Sequence, residues 1–542
     1  MKLTRRQFAA GLSTGMAAAC APLPPSRITS PRFAPKWDSL SANFTAPEWF
    51  RDAKFGIWAH WGPQCVPMAG DWYARRMYLQ GDWKYDHHLA NYGHPTQHGF
   101  IDLLDGWTAE RWDPGALLDL YQRAGAKYFM ALAVHHDNFD CFDSQHHGWN
   151  AMRIGPRRDI VGTWERLARE RGMKFAISNH GSHAWHWFQA AYGYDPEGPL
   201  RGRRYDAWRL READGRGKSW QGLDPQQFYT GAMMPMPPGI DTVADANAWH
   251  EANDRVWTED APPNNPAFVA KWKARAIDMI DRYRPDLFYY DNSEDLPFGA
   301  AGLEVTAHYY NRGLEWHDGE QRVAATAKLL PADKAGAVIV DVERGDRAEI
   351  SPVPWQSGTC IGDWYYDEGI YRRHEYKSAQ TIIHRLCDTV AKNGNLMLSV
   401  PIRPDGTLDD DEHAILEELA GWVRINGDAI FATRPAHVFG EGPTQVTAGA
   451  FGESNTSAFT ARDIRYTRKG DDLFAIALGV PEDGRVLLQA LGNVDVERVD
   501  LLGHAGPVPH GRTSAGVFLE IPGVRGDAPA LAFRLRGAAR RL

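Results

Sequence analysis

Cysteine is scarce in this 542-residue chain, which has only 5 cysteines and no Cys-x-x-Cys pair. This scarcity argues against both a disulfide scaffold and a zinc–thiolate site. Positive charge is not in excess either, because 60 Lys and Arg residues face 69 Asp and Glu residues. With a formal net charge of -9, a nucleic-acid-binding surface is not expected. The sequence also has no apolar run long enough to span a bilayer.

The first residues of the chain carry an export pattern. Thr4–Phe8 resembles a twin-arginine signal, and a weakly apolar stretch follows it as far as Ala19. Ala17–Cys20 offers either an Ala-x-Ala cleavage site or a degenerate lipobox with Cys20 as the acylated residue. We therefore expect residues 1–22 to be a twin-arginine export signal. The mature protein would be periplasmic or anchored at the outer membrane or cell surface, with a lipid on Cys20 as its only membrane contact.

Six apolar runs are continuous rather than alternating, and polar or ionisable residues stand at their ends. Such runs predict strands buried on both faces, as in a parallel sheet. The runs are residues 54–60, 126–134, 173–178, 286–290, 337–340 and 395–400, and helical segments are predicted at 117–124, 164–171, 266–283 and 380–392. This alternation, with polar residues at strand after strand, favours an α/β fold of the (β/α)8 barrel type, because the carboxyl ends of barrel strands carry the active site.

Beyond Pro435 the pattern changes to short apolar stretches separated by Gly, Asp and Pro. Such spacing is typical of an all-β domain. We therefore expect a barrel catalytic domain over residues 36–435 and a C-terminal β-sandwich over residues 436–542.

Carboxylates and imidazoles cluster after the predicted strands. Two carboxylates among ring-bearing residues fit glycoside hydrolysis, in which one carboxylate attacks the anomeric carbon and the other protonates the leaving oxygen. A metal-dependent hydrolase that uses His135 and Asp137 is an alternative. Adjacent residues of a strand point to opposite faces, however, so His135 and His136 are not expected to hold one ion. We expect no metal and no cofactor.

Several blocks of sequence, in order along the chain, resemble the α-L-fucosidases of glycoside hydrolase family 29. The blocks are residues 49–62, 127–139, 149–150, 155–161, 284–291, 392–398 and 426–435. The resemblance implies a retaining exo-α-L-fucosidase, which hydrolyses terminal α-L-fucosyl linkages in fucosylated oligosaccharides or glycoconjugates through a covalent fucosyl-enzyme.

The resemblance also implies roles for individual residues. Asp291 would be the nucleophile. The general acid/base would be Glu343 or Glu349, and we favour Glu343 because it lies directly at the predicted strand end. The expected substrate-binding residues are His60, Trp61, Asp71, Trp72, Tyr73, His135, His136, His180, Arg344 and Trp364.

Some residues depart from the family pattern. Asn292 and Ser293 follow the nucleophile where many relatives carry Gly and Trp, and Asn179–Gly181 replaces a Tyr and Ser arrangement. Two alternatives therefore stay open beside the metal-dependent hydrolase. One is a catalytically inactive glycan-binding protein on the same fold, and the other is a retaining glycosidase acting on another sugar, such as an α-galactoside.

Overall fold

Eight parallel strands close into a barrel, each paired with the next in the chain and the last paired with the first. They are β1 (Phe55–Ala59), β2 (Tyr128–Val134), β3 (Lys174–Asn179), β4 (Leu287–Tyr290), β5 (Ala324–Lys328), β6 (Ile339–Glu343), β7 (Trp355–Cys360) and β8 (Gly394–Ser399). The computed structural model describes residues 31–492, 494–523 and 526–540. The predicted signal at residues 1–22, including Cys20, lies outside the described residues. The predicted barrel class is confirmed.

Two of the barrel strands, β5 and β7, were not among the six predicted from apolar runs. β5 reads Ala-Ala-Thr-Ala-Lys and β7 reads Trp-Gln-Ser-Gly-Thr-Cys. Their small and polar residues are nevertheless buried along the whole length of both strands. The neighbouring strands and helices, rather than the apolarity of these two segments, account for that burial. β6 also lies further along the chain than expected, so Glu343 is part of the strand.

Alternate residues of the strands pack on opposite sides of the barrel wall. Trp58, Met130 and Leu287 pack together inside the barrel. The residues between them, such as Ile57 and Phe129, pack against the surrounding helices. Burial on both faces explains why the strands with large side chains read as continuous apolar runs.

The helices surround the barrel and fill its connections. They are α1 (Trp37–Asn43), α2 (Glu48–Ala53), α3 (Tyr73–Arg76), α4 (Trp83–Asn91), α5 (Pro114–Arg123), α6 (Ile160–Glu170), α7 (Ala184–Trp187), α8 (Asp206–Arg209), α9 (Pro225–Phe228), α10 (Val243–Asn253), α11 (Pro266–Tyr283), α12 (Ala300–Trp316), α13 (Glu368–Arg373), α14 (Ala379–Ala391) and α15 (Asp410–Asn426). The predicted bounds of α11 are confirmed. Asn265 Oδ1 accepts a hydrogen bond from the Phe268 backbone N–H and Pro266 is the first helical residue. Among the described residues, none of the helices is both long and apolar enough to cross a bilayer.

The last part of the chain forms two antiparallel sheets. Their strands are β9 (Arg434–Glu441), β10 (Ile464–Lys469), β11 (Asp472–Ala477), β12 (Arg485–Leu488), β13 (Val499–Leu501), β14 (His510–Thr513), β15 (Gly516–Glu520) and β16 (Leu531–Leu535). One sheet has the order β13-β16-β11-β10-β9 and the other has the order β12-β15-β14. Leu488 and Leu519 from the smaller sheet share one buried core with Tyr466 and Phe533 from the larger, so the predicted β-sandwich is confirmed.

The larger sheet of the sandwich packs on the last two barrel helices. Trp422 Nε1 of α15 donates to the Ala530 carbonyl at 3.0 Å, and His384 Nε2 of α14 donates to the Pro529 carbonyl at 2.8 Å. Arg465 Nε donates to Asp388 Oδ1 on α14 at 2.5 Å. The division into domains at residues 435 and 436 stays a prediction, because barrel and sandwich side chains share buried contacts across it.

A buried ion pair ties α11 to the loop that follows β2. Arg275 Nε donates to Asp140 Oδ2 at 3.2 Å, and Arg275 Nη2 contacts Asp140 Oδ1. Arg275 Nη1 also donates to Asn138 Oδ1 at 2.7 Å. Arg275 is 3% exposed and Asp140 is fully buried. The loop held in this way also carries His135 and His136.

Replacing Arg275 by Met should lower the free energy of unfolding by about 3–5 kcal/mol, because Asp140 would stay buried without its partner. Urea unfolding followed by tryptophan fluorescence should show a lower midpoint with an unchanged slope. Arg282→Met on the same helix is the control, since the exposed Arg282 pairs with the partly buried Asp143 and Asp278, and its replacement should cost about 1 kcal/mol or less. Equal midpoints for the two variants would contradict this role for the buried pair.

Candidate active site

A cavity of about 380 Å³ opens at the carboxyl ends of the barrel strands. Aromatic rings, imidazoles and carboxylates line it together. The lining residues are Trp58, His60, Asp71, Trp72, His135, His136, His180, Trp257, Tyr289, Asp291, Asn292, Ser293, Lys328, Leu329, Asp341, Glu343, Trp364, Ala450 and Phe451. Apolar walls with a few converging polar groups are typical of a small-ligand site.

The register of β3 and β4 places His180 beside Asp291. Asn179 pairs with Tyr290, and the next residue of each chain segment is the one that reaches the cavity. His180 Nδ1 lies 3.0 Å from Asp291 Oδ2, and His136 Nε2 lies 3.2 Å from the same oxygen. Asp291 is 6% exposed, so its carboxylate depends on these partners for hydrogen bonds.

The register of β4 and β5 places Lys328 level with Asp291. Tyr289 pairs with Thr326, and Asp291 and Lys328 each lie two residues further along. Lys328 Nζ forms an ion pair with Asp291 Oδ1. Both side chains are buried, which strengthens their interaction relative to an exposed pair.

Glu343 reaches the same ammonium from β6. Lys328 pairs with Asp341 across the two strands, and Glu343 follows two residues later on the same face. Lys328 Nζ donates to Glu343 Oε2 at 2.6 Å. Glu349, the other candidate acid, lies in the exposed loop after β6 and does not line the cavity.

Electrostatic contacts set the charge of this cluster. Burial alone would raise the pKa of Asp291, but Lys328, His180 and His136 together hold it well below its usual value. Burial alone would lower the pKa of Lys328, but Asp291 and Glu343 raise it above its usual value. The cluster therefore keeps an ionised carboxylate and a charged ammonium in contact.

Asn292 joins the ends of β4 and β5. Its Oδ1 accepts from the Lys328 backbone N–H at 2.8 Å, and its Nδ2 donates to the Asp295 carbonyl at 2.7 Å and to the Lys328 carbonyl at 3.2 Å. This double contact fixes Lys328 relative to Asp291. Asn292, which departs from the family pattern, thus connects the strand end that carries Asp291 to the one that carries Lys328.

Three histidines of the cavity are oriented by contacts at Nδ1. His60 Nδ1 lies 2.9 Å from Ser399 Oγ, and Gln64 Nε2 donates to His135 Nδ1 at 2.8 Å. His180 uses Nδ1 for Asp291. Burial lowers the pKa of all three rings, so their neutral forms are favoured and each can present Nε2 to a ligand.

Two buried polar atoms at the site have no hydrogen-bond partner among the described residues. They are Nε2 of His180 and Oδ1 of Asp71. Both side chains line the cavity, and buried polar atoms are normally hydrogen-bonded. A bound ligand with several hydroxyl groups would satisfy them.

Comparison with known proteins decides the family. The sequence profile of the family described as "Alpha-L-fucosidase" matches residues 23–428, well over half of the chain. The chain belongs to the α-L-fucosidase family. It is similar to the tissue alpha-L-fucosidase of Homo sapiens, with 24% identity over 508 residues that cover 91% of this chain and 88% of the human protein. The predicted enzyme class, glycoside hydrolase, is confirmed by this membership.

Solved structures of other fucosidases share the fold. The Thermotoga maritima alpha-fucosidase in complex with a mechanism-based inhibitor superimposes with a TM-score of 0.68 at 23% identity, covering 93% of this chain and 100% of that chain. A Bacteroides thetaiotaomicron alpha-L-fucosidase, trapped as a covalent intermediate, gives a TM-score of 0.59 at 16% identity, covering 91% and 97%.

Three of the expected substrate-binding residues of this fucosidase-family chain lie elsewhere. Trp61 is a core residue, since it is 1% exposed and its Nε1 donates to the Arg403 carbonyl at 2.9 Å. Tyr73 is fully buried and its hydroxyl contacts His88 Nδ1 at 3.0 Å. Arg344 lines an adjoining groove rather than the cavity. The other expected residues, His60, Asp71, Trp72, His135, His136, His180 and Trp364, do line the cavity.

The expectation that His135 and His136 face opposite sides was wrong. β2 ends at Val134, so both histidines lie in the turn after the strand, where strand alternation no longer applies. Their ring centroids are 4.3 Å apart and both rings line the cavity. Asp137, by contrast, does not line it, so the alternative metal pair of His135 and Asp137 is not assembled.

Two other groups of side chains offer ligand atoms that lie within 4.8 Å of one another. They are His60 with His135 and His180, and His136 with His180 and Asp291. Most of these side chains already have protein partners at one ring nitrogen, as described above. The absence of a metal stays a prediction for this family member.

Several cavity residues were missed by sequence reasoning. Lys328 ends a strand that is not apolar enough to be recognised. Trp257 and Phe451 lie in irregular connections, where no periodicity marks a residue as part of a site. Trp58 and Tyr289 each precede a recognised residue by two positions, so strand alternation could have identified both.

Replacing Lys328 by Met should move the acidic limb of the kcat/KM profile to higher pH. An ionised Asp291 is present above its pKa and lost below it, and Lys328 is the strongest of the partners that lower this pKa. Removing the ammonium therefore raises the pKa of Asp291. A pH series from about 3 to 8 with an aryl α-L-fucoside tests the shift.

Lys334→Met is the matched control for the Lys328 variant. Lys334 Nζ contacts Asp295 at 2.8 Å but does not line the cavity, so its replacement should leave the limb in place. An unmoved limb in the Lys328 variant would contradict the electrostatic role assigned to the ammonium.

Proposed function

We propose that this chain is a retaining exo-α-L-fucosidase, with Asp291 as nucleophile and Glu343 as general acid/base. One observation carries the proposal. The carboxylates of Asp291 and Glu343 share a single buried ammonium, Lys328, inside a cavity walled by tryptophans. Family membership supports the substrate class, terminal α-L-fucose on oligosaccharides or glycoconjugates.

The shared ammonium supports retention of configuration. Two hydrogen-bond lengths place the nearest oxygens of Asp291 and Glu343 no more than roughly 6 Å apart. Retaining glycosidases hold their carboxyl groups about 5–5.5 Å apart, whereas inverting enzymes need about 6.5–9.5 Å for an intervening water. The covalent intermediate trapped in the Bacteroides thetaiotaomicron relative is consistent with the same route.

In the first step, Asp291 attacks the anomeric carbon as the glycosidic bond breaks, and Glu343 gives its proton to the departing oxygen. The product is a fucosyl ester of Asp291. Esterification removes the negative charge of Asp291, so Lys328 is left with Glu343 as its only carboxylate partner in the pair. In the second step, Glu343 takes a proton from the water that attacks the anomeric carbon, and the bond between that carbon and Asp291 breaks.

The rest of the cavity supports binding of one sugar ring. Aromatic faces such as Trp58 and Trp364 pack against C–H groups. Neutral imidazoles, held by the contacts at Nδ1, supply donors and acceptors for hydroxyl groups. His180 and Asp71 each have an unpaired atom for this purpose.

Asp291→Ala should lose activity on an aryl α-L-fucoside by on the order of 10⁴-fold or more, because no nucleophile remains. Azide should restore turnover in this variant and yield the β-fucosyl azide.

Glu343→Ala should lose about 10²–10⁴-fold in activity on substrates with poor leaving groups, and azide should yield the α-fucosyl azide. Product anomers are read by proton NMR.

Glu349→Ala is the control, since this exposed glutamate lies outside the cavity. It should keep wild-type activity and give no azide product. An α-azide product from the Glu349 variant would transfer the acid/base role to that residue, and full activity in Asp291→Ala would refute the mechanism. Faster turnover of an aryl α-galactoside than of the fucoside would overturn the assignment of the sugar.

We also propose that the protein is exported in folded form through a twin-arginine signal. The support is the pattern at Thr4–Phe8 together with four described cysteines that are buried as free thiols. Replacing Arg5 and Arg6 by Lys should leave the protein in the cytoplasm, as cell fractionation would measure. Unchanged export would contradict the proposed signal. Replacing Cys20 by Ala distinguishes lipid attachment, which this variant would lose, from simple cleavage, which it would keep.

A further inference from the structure

The connection between β9 and β10 docks on the barrel beside Glu343. The Phe451 backbone N–H donates to the Glu343 carbonyl at 2.8 Å, and the Glu453 backbone N–H donates to the Arg344 carbonyl at 2.9 Å. The Gly449 N–H donates to a further carbonyl of the same stretch, two residues beyond Arg344, at 2.8 Å. A segment that follows the barrel in the chain thus forms part of the rim of the cavity.

Phe451 has an unusual conformation and an unusual exposure for its residue type. Its φ of 58° lies in the left-handed region, which large side chains rarely adopt. The residue is 59% exposed although it lines the cavity. The backbone hydrogen bonds to the barrel hold this conformation, and such locally unfavourable backbone tends to be kept at functional sites.

Leu329 has the same two properties and follows β5, the strand that pairs with β6. Its φ is 52° and it is 54% exposed. It follows Lys328, whose ammonium contacts Glu343, and it also lines the cavity. Two exposed apolar side chains therefore line the same cavity as the carboxyl group to which the acid/base role is assigned.

The position of the acid fixes where the leaving group must pass. Glu343 protonates the oxygen of the bond that breaks, so the group attached to that oxygen lies beside Glu343 and toward the opening. A cavity of about 380 Å³ is near the lower end of the usual range for ligand pockets, roughly 300–1,000 Å³. A cavity of this size suits one sugar ring, so the sugar attached to the terminal fucose would lie at the rim.

We propose that Phe451 and Leu329 form the leaving-group subsite of this enzyme. The occupant is the pyranose ring to which the terminal fucose is attached, with its C–H face packed on the ring of Phe451. Leu329 supplies a second apolar contact in this subsite. The proposal rests on the proposed fucosidase function and deepens it, because it makes the β9–β10 connection a determinant of which fucosides are cleaved.

Phe451→Asn tests the subsite with the backbone preserved, since Asn tolerates the left-handed conformation. Substrates are α-L-fucosyl fluoride, whose leaving group has no ring, and the fucosyl disaccharide that the wild-type enzyme cleaves best. The variant should lose about 3- to 10-fold in kcat/KM on the disaccharide and stay within about twofold of wild type on the fluoride. Leu329→Asn should show a smaller loss with the same selectivity.

Phe451→Trp should retain activity on the disaccharide, because an aromatic face remains. Leu487→Asn is the matched control: Leu487 is an exposed apolar residue of the sandwich that does not line the cavity, so both substrates should be unaffected. Equal losses of Phe451→Asn on both substrates would overturn the subsite, because the fluoride leaving group has no ring to pack on Phe451. Unchanged kinetics on both substrates would also overturn it.

The wild-type reactions separate this proposal from the function on which it rests. Turnover of fucosyl fluoride by the wild-type protein establishes fucosidase chemistry before any variant is compared. A wild-type protein inactive on every fucoside refutes the proposed function itself. A loss for Phe451→Asn on hydrophobic aryl fucosides but not on the disaccharide would assign the subsite to an apolar aglycone, and the sugar ring would be the wrong occupant.

Discussion

The site depends on one buried ammonium that contacts two carboxylates. Taking charges out of water is costly unless each has a partner, and Lys328 is the partner of both Asp291 and Glu343. Two carboxylates and one ammonium leave one negative charge in excess if both acids are ionised. His136 and His180 stabilise the carboxylate of Asp291 by hydrogen bonding as neutral rings. The placement of five side chains at the ends of five strands, β2 to β6, therefore meets a single electrostatic requirement.

Burial also determines the state of the surrounding imidazoles. A desolvated imidazolium is unfavourable, so the pKa of His60, His135 and His180 falls. Neutral rings offer both a donor and an acceptor, which suits hydroxyl groups better than charged rings would. The same desolvation strengthens the ion pairs of Lys328. One property of the cavity, its exclusion of water by aromatic walls, thus serves both binding and catalysis.

The floor and the rim of the cavity have different origins. Strand ends supply the floor, and their register leaves little freedom of position. Irregular connections supply the rim, including Trp257 between α10 and α11 and Phe451 between β9 and β10. A rigid scaffold with variable loops is how barrel enzymes change specificity without changing their reaction. The sandwich contributes to this rim through the connection that leads into its second strand.

Tertiary structure decided the matters for which the chain has no local signal. β5 and β7 are strands because their neighbours bury them, although most of their residues are small or polar. Because β5 was not recognised as a strand, Lys328 at its end was not recognised as a site residue. Trp61 lies within a matching motif but packs in the core, as does Tyr73, because a sequence match does not say which way a ring turns. The expected placement of His135 and His136 failed because β2 ends one residue before them.

Sequence alone determined the barrel class, the sandwich that follows it, the family and the position of Asp291 and Glu343 at strand ends. These features depend on local patterns: continuous apolar runs, turn residues and ordered motifs, all of which the chain carries in short segments. Only the folded protein decided three other features. They are the ion-pair cluster, the orientation of the rings, and the position of Phe451 next to the Glu343 backbone. They join residues from different strands and connections, and no local pattern encodes such a contact.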